Sequence, residues 1–471
     1  MTKRQQRRDF MKLTAAASTG FFAASGVELK ASTSANEVIR WACVGVGGKG
    51  TSDSNDAARH GEIVAICDID DGNLNKAADK WPKAKKFHDY RKMFEEAVDS
   101  FDGVTVSTPD HNHAPAAALA LKAKKHTFTQ KPLTHTIQEA RHLGDLAKEA
   151  GVQTQMGNQG TASSNLRRSA ALLRNGLVGT VKEVHVWTNR PVWPQGGGRP
   201  TDTPAIPDHI HWPEFLGPAK HRPYHPSYTP FKWRGWWDFG TGALGDMACH
   251  TLNMPFMGLD LFDPTSVVAE TSGHNKETYP AKCKITFEFP EYKGRPALTM
   301  YWYDGGEKPD RALFPKRSQF KDKNGKEIVA DTKAYARLLN TGSLIVGDKG
   351  SFFSPGDYGQ DARHTGVLEG DKFTLVGDVS QEVEFPESPG HFTELANAIK
   401  GGPAPISNFP NYAGPLTETI LLGNLAVYAD GKRSNGMRKT WCQPMRQKSL
   451  TLFVKSTTTD MESKILSSTV V

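Results

Sequence analysis

From residue 38 the chain alternates short β-rich runs with helix-length stretches of mixed polarity. The first apolar run, Val38 to Val44 (VIRWACV), breaks at a glycine cluster, and a second, EIVAICD, ends in Asp68. The pattern then predicts a helix over 72–81, a strand over 85–88, a helix over 90–98 and a strand over 103–107. An alanine-rich helix over 114–124, a strand over 126–129, a helix over 134–150 and a strand over 152–156 complete the succession. Thr134 and Gly151 read as the N- and C-terminal caps of that last helix. Regular β–α alternation to about Asn158 predicts a doubly wound parallel sheet.

Beyond 158 the rhythm changes. A helix over 164–177 and a strand over 181–189 lead into residues 190–235, which are rich in Pro, Gly, Trp and His and lack a period. A long irregular stretch inside a folded region is often functional. A helix is expected over 241–259 despite Pro255, then alternating strands over 266–271, 283–289, 296–303 and 343–346. Helices over 392–399 and 414–428 follow. Strands joined by turns predict an open, mostly antiparallel sheet, so the fold class is α/β with two unlike domains, 36–158 and 159–440. Residues 441–471 read as a tail.

With 471 residues, more than one core is expected. The formal charge of +7 comes from 58 basic and 51 acidic residues, and Lys3, Arg4, Arg7, Arg8 and Lys12 crowd the N-terminus. Elsewhere no basic run or aromatic-spaced basic stripe occurs, so no nucleic-acid partner is expected. Five scattered cysteines without a C-x-x-C pair predict neither a disulfide framework nor a zinc knot. Cys43 and Cys67 fall in strands expected to be buried. Residues 1–35 resemble a twin-arginine export signal. Arg7-Arg8-Asp9-Phe10-Met11-Lys12 precedes a weakly apolar stretch and the small residues Thr33-Ser34-Ala35. That stretch is too short for a stable membrane span. The protein is therefore expected to be periplasmic or secreted.

The candidate chemistry starts at the glycines. Gly45, Gly47 and Gly50 have G-x-G-x-x-G spacing, with Gly48 between them, after a strand and before a helix. The first permits a tight turn, the second lets backbone approach a pyrophosphate, and the third lets helix pack on strand. Asp68 follows Gly50 by eighteen residues, at the end of the second strand, where a carboxylate suits the ribose hydroxyls of NAD. With Asp70 and Asp71 beside it, the 2′-phosphate of NADP is disfavoured, so NAD is the expected cofactor.

Three further motifs accompany the glycines: Ser107-Thr108-Pro109-Asp110-His111-Asn112-His113, Gln130-Lys131-Pro132, and Asp246-x-x-x-His250 after Gly240-Thr241-Gly242. In this order they resemble the glucose–fructose oxidoreductase / inositol dehydrogenase / rhizopine-catabolism (Gfo/Idh/MocA) family. The resemblance implies a Rossmann domain and a second α/β domain whose open sheet supports a homo-oligomer and faces the substrate. It implies that Lys131, Asp246 and His250 meet at the nicotinamide, with Lys131 aimed by a cis bond to Pro132. The chain has Gln130 where the family pattern has Glu. Thr108, Pro109, His113 and Asn158, at strand ends, are expected to line the cofactor. Positions i and i+4 share a helix face, so Asp246 and His250 reach one cleft. An imidazole suits removal of a hydroxyl proton, and a lysine suits stabilising the oxygen left behind.

These residues lead to an exported NAD-dependent oxidoreductase acting on a sugar or polyol, with cofactor held through the cycle because free NAD is scarce outside the cytoplasm. Two alternatives stay open. One is an NAD-dependent glycosidase that oxidises, eliminates, hydrates and reduces. The other is a non-catalytic carbohydrate-binding protein. Trp187, Trp193, Trp212, Trp233, Trp236 and Trp237 suit stacking on a sugar face or packing of the irregular segment. His111-x-His113 has the look of a metal pair, but no carboxylate or cysteine completes it, and the histidines at 209, 211, 221 and 225 read as loop packing, so no metal site is expected.

Overall fold

The computed structural model describes residues 38–429. The stretch expected to be an export signal, the expected tail and Cys442 lie outside them. Six strands, β1 (Ile39–Val44), β2 (Gly61–Cys67), β3 (Lys85–Phe87), β4 (Gly103–Val106), β5 (His126–Thr129) and β6 (Thr154–Met156), form a parallel sheet in the order β3-β2-β1-β4-β5-β6. The intervening helices are α1 (Lys49–Ala58), α2 (Asp71–Lys80), α3 (Tyr90–Ala97), α4 (His113–Lys122) and α5 (Ile137–Ala150). Strands buried on both faces read as near-continuous apolar runs, as IRWACV does. Cys43 and Cys67 are buried in β1 and β2. Helix α5 starts later than its threonines suggest: Thr136 makes a capping box with Glu139, while the Thr134 hydroxyl donates to the Thr136 carbonyl at 2.8 Å. Gly151 ends the helix in the left-handed region at φ 65°, as expected.

The second sheet has eight strands. Helix α6 (Ser164–Arg174) precedes β7 (Val181–Trp187), and the irregular segment that follows holds the short helix α7 (Trp212–Leu216). The single helix expected over 241–259 is two, α8 (Gly242–Thr251) and α9 (Asn253–Leu259), parted at Leu252. The break places Pro255 in a first turn, where its missing N–H costs no intrahelical bond. Then come β8 (Ser266–Thr271), β9 (Cys283–Phe289), β10 (Leu298–Asp304), helix α10 (Thr332–Leu338), β11 (Gly342–Gly347), β12 (Ser351–Pro355), β13 (Gly366–Glu369) and β14 (Lys372–Leu375). Their order is β14-β13-β12-β11-β7-β10-β9-β8, antiparallel except where β7 runs parallel to β10. The last three strands escape the pattern because they are short and flanked by Gly and Pro, although β13 and β14 form a two-residue hairpin through Gly370 and Asp371.

Two late helices tie the sheets together. Helix α12 (Gly414–Ala429) lies so close to the second sheet that a Cβ at Gly423 would sit 2.6 Å from Leu244 and 2.8 Å from Phe287. Helix α11 (His391–Ile399) returns to the first sheet. Phe392, Leu395, Ala396 and Ile399 share a core cluster with Ile39, Trp41, Cys43 and Phe128. Among the described residues no helix is long and apolar enough to cross a membrane.

Candidate active site

The glycine loop joins β1 to α1 under tight steric limits. Gly45 has φ 79°, and a Cβ there would lie 2.4 Å from the Ser107 carbonyl oxygen. A Cβ at Gly50 would lie 2.0 Å from the Gly45 carbonyl oxygen, so helix and turn touch through backbone alone. Gly48 stands at the N-cap, and no side chain caps the first turn of α1. Gly47 faces the Asn73 amide from α2. The Asp68 carboxylate lies under this loop, accepting the N–H of Val46 at 2.9 Å, of Gly47 at 3.1 Å and of Asp70 at 3.0 Å. Burial raises its pKa, and those backbone hydrogen bonds pull the other way.

At the end of β5, Lys131 precedes a cis bond to Pro132. Its Nζ donates to the Asp246 carboxylate at 2.6 Å and to the Asp246 backbone carbonyl at 2.7 Å. Two of three ammonium hydrogens are thereby used, leaving one for a ligand oxygen. Asp246 also takes Arg234 Nε at 3.1 Å, and Arg190 Nε stands 4.0 Å away. Burial disfavours the ionised carboxyl, yet the neighbouring Lys131 and Arg234 charges outweigh it and hold Asp246 well below the carboxylate range. His250, one turn further along α8, is buried, and its Nδ1 has no hydrogen-bond partner. The edge of its ring meets Tyr358 at 4.7 Å and 83°. Burial, reinforced by Lys131, drives its pKa well below the ordinary value, so the imidazole is neutral.

The structure therefore brings Lys131, Asp246 and His250 together. Thr108, Pro109 and His113 lie beside them in a more structural arrangement. His113 is buried, with Nδ1 2.7 Å from the Pro132 carbonyl and Nε2 2.8 Å from the Thr108 carbonyl, so it braces the ends of β4 and β5 against each other. His111 is likewise held between the Phe239 and Phe215 carbonyls. Asn158 is fully buried after β6. Its Oδ1 accepts the Ser407 hydroxyl, while its Nδ2 has no partner.

Asp110, Arg190, Arg234, Asp357 and Tyr358 belong to the site although the sequence assigns none of them a role there. Asp110, fully buried, receives Arg234 at 3.0 Å and both the N–H and hydroxyl of Thr241, at 3.0 and 2.6 Å. Arg190 also approaches Asp357 at 3.6 Å, and Asp357 and Tyr358 follow a strand the sequence pattern misses. Lys131, Arg190 and Arg234 thus face Asp110, Asp246 and Asp357, three charges against three. Beneath the lysine, Gln130 Nε2 donates to Asp53 Oδ2 at 2.9 Å, Ser107 Oγ donates to the same oxygen at 2.8 Å, and Lys49 Nζ reaches the other oxygen at 2.5 Å. A carboxylate from α1 thus fills this space, which explains why the preceding residue is an amide.

Of the six tryptophans, Trp187, Trp193, Trp212 and Trp236 are buried. Trp212 stacks on Phe215 within an aromatic cluster, and Trp237 stacks on Tyr279. Trp233 is half-buried and carries the Arg234 guanidinium 4.2 Å above its ring.

The residues present fit NAD. Two glycines stand where no side chain can, the first turn of α1 is uncapped, and a buried amide at Asn158 lacks a partner at the strand ends.

Residues 39–158 match the model of the oxidoreductase family NAD-binding Rossmann fold, and residues 166–294 match that of the family's C-terminal alpha/beta domain. Inositol 2-dehydrogenase of Salmonella typhimurium is 31% identical over 91 residues, 19% of this chain and 26% of that protein. A glycosyl hydrolase family 109 protein of Solibacter usitatus is 34% identical over 157 residues, 29% of this chain and 35% of that protein. The aligned part therefore spans about a quarter to a third of these curated relatives. The WlbA dehydrogenase of Bordetella pertussis, solved with NADH and UDP-GlcNAcA, shares the fold at a TM-score of 0.55 and 17% identity, covering 84% of this chain and 97% of that one. With the glycine cradle and both domain matches in place, the chain belongs to the Gfo/Idh/MocA oxidoreductase family and carries its NAD-binding Rossmann domain.

Proposed function

We propose that the protein oxidises a hydroxyl of a sugar or polyol, outside the cytoplasm, with NAD retained through the catalytic cycle. The observation that carries this is the contact of Lys131 Nζ with the Asp246 carboxylate at 2.6 Å, on the helix that presents a neutral, buried His250. NAD, when bound, supplies the hydride acceptor. The Gly45–Gly50 turn and the start of α1 would hold its pyrophosphate, Asp68 its ribose, and Asn158 and the ends of β4 and β5 its nicotinamide end. The remaining Lys131 hydrogen donates to the substrate oxygen and stabilises negative charge there. His250, uncharged at neutral pH, accepts the hydroxyl proton. Balanced charge in the cleft suits a neutral polyhydroxy substrate, and Trp233 offers it an aromatic face.

The resemblance of residues 1–35 to a twin-arginine signal supports retention, because that route carries folded proteins and the expected destination has little free NAD. An oligomer built through the open second sheet belongs to the same reading. The glycosidase alternative draws on the family 109 relative and uses the same residues, differing in what leaves the sugar. Purified protein incubated without added NAD separates the two. A lactone paired with a polyol indicates oxidoreduction, and an aglycone released from an aryl glycoside indicates hydrolysis. Both readings require bound dinucleotide after purification and loss of turnover in Lys131→Met and His250→Ala. Unchanged turnover in those variants would refute the catalytic assignment.

A further inference from the structure

The irregular segment crosses the end of β2 as a strap. Asp71 N–H donates to the His209 carbonyl at 3.0 Å and His211 N–H to the Ile69 carbonyl at 2.8 Å, while Asp70 and Ile210 form an antiparallel bridge. This register delivers the His211 ring to Asp71, the first residue of α2. His88, just after β3, arrives at the same carboxylate. His88 Nε2 lies 2.7 Å and His211 Nε2 3.3 Å from a single oxygen, Asp71 Oδ1. The two imidazoles stack with centroids 3.7 Å apart at 19°. One potential ligand atom from each residue lies within 4.8 Å of the other two.

Helix capping does not account for this carboxylate, because Asp70 caps α2 by accepting Gly72 N–H and Asn73 N–H. Nor does the site described above use any of the three residues. Two imidazole nitrogens from separate segments converge on one carboxylate oxygen of a third, and all three side chains are half-exposed. We propose that Asp71 Oδ1, His88 Nε2 and His211 Nε2 bind a zinc ion, with water in the fourth position. Ligands about 2.0–2.1 Å from a tetrahedral zinc lie about 3.3 Å from one another, a spacing that His211 Nε2 already keeps from Asp71 Oδ1, while His88 Nε2 must draw back and the stacked rings fan apart to admit the ion. The nitrogen-rich donor set selects zinc over the oxygen-seeking magnesium and calcium. The ion binds the strap to the ribose edge of the nucleotide domain, three residues past Asp68. This inference does not depend on which reaction the protein catalyses.

The full chain, stripped with EDTA and titrated with Zn²⁺ against a chromophoric chelator, tests it. The expected result is one tightly bound equivalent per chain in the wild type, weakened at least tenfold in both His88→Ala and His211→Ala. Absence of a stoichiometric equivalent in the wild type, or wild-type affinity in either variant, overturns the proposal. Should a variant fail to fold, Co²⁺ titration of the wild type decides. Visible d–d absorption of a four-coordinate site, quenched by Zn²⁺, supports it, and absence of that absorption overturns it.

Discussion

Restoring the family's glutamate at position 130 is expected to damage this protein. Gln130 Nε2 donates to Asp53 Oδ2 at 2.9 Å, so Gln130→Glu sets a second carboxylate against a buried one. Two full charges at that distance repel by about 6 kcal/mol at an effective dielectric of about 20. Taking up a proton is the cheaper escape. It costs about 1.4 kcal/mol for each pH unit above an ordinary glutamate value of about 4.3, or about 4 kcal/mol at pH 7. The protonated acid then donates to Asp53 much as the amide does, so the lost hydrogen bond adds little. The new group's folded-state pKa is raised. Its penalty is therefore absent below about pH 4, about 1 kcal/mol at pH 5, and grows until pH reaches the folded value. Urea unfolding of wild type and Gln130→Glu at pH 5 and pH 7 measures this. The double variant Asp53→Asn/Gln130→Glu, which removes the opposing charge, should recover most of the loss. An unchanged midpoint at pH 7, or an equal deficit at both pH values, would refute the reasoning.

Burial lowers His111, His126 and His391 to about 4 each and takes His250 well below its ordinary value, so these rings are neutral when folded and gain protons on unfolding in mild acid. Their contribution to stability is complete above about pH 6.5 and falls between there and about pH 4, by up to about 1.4 kcal/mol per pH unit for each ring. Asp304, raised by burial to about 7, opposes this trend with the buried Asp68 and Glu139, also raised, while His60, His113 and His185, lowered by burial, add to it. Urea midpoints should drop as pH falls from 6.5 to 4.5, less steeply in His391→Gln, and a flat profile would contradict the assignment. Arg234→Met leaves the fully buried Asp110 with Thr241 as its remaining hydrogen-bond donor among the described residues, and breaking such a pair costs about 3–5 kcal/mol. A loss below about 1 kcal/mol in urea unfolding would show that Asp110 finds other solvation.

The first sheet was legible because each βα unit repeats the same local logic, with an apolar run, a turn and a capped helix. The cofactor loop and the Lys131, Asp246 and His250 motifs were legible because each is short and contiguous. What stayed hidden depends on contacts between distant segments. Arg234 lies in a stretch without a period, and only the fold shows it wedged between Asp110 and Asp246. Gln130 stands where the family pattern has Glu, and the reason, the Asp53 carboxylate 77 residues away in sequence, appears only in the fold. Asp71, His88 and His211 show no ligand spacing along the chain, because a backbone bridge at Asp70 and Ile210 brings them together. The helix expected over 241–259 failed for a local reason, since proline is tolerated only where a new first turn begins.

Helix α11 has a consequence for synthesis. The first sheet ends with Met156, yet Phe392 packs against Trp41 at 5.3 Å and Phe128 at 5.2 Å, roughly 235 residues later. At about 5–20 residues per second, that gap is about 12–50 s of translation. Throughout it the nascent nucleotide domain has an uncovered apolar face, while the whole second sheet is still being made. The two sheets therefore mature together, and the nucleotide half cannot finish folding ahead of its partner. Chaperone demand should peak while that face waits, and a message truncated before residue 391 should yield an aggregating fragment rather than a free dinucleotide-binding domain.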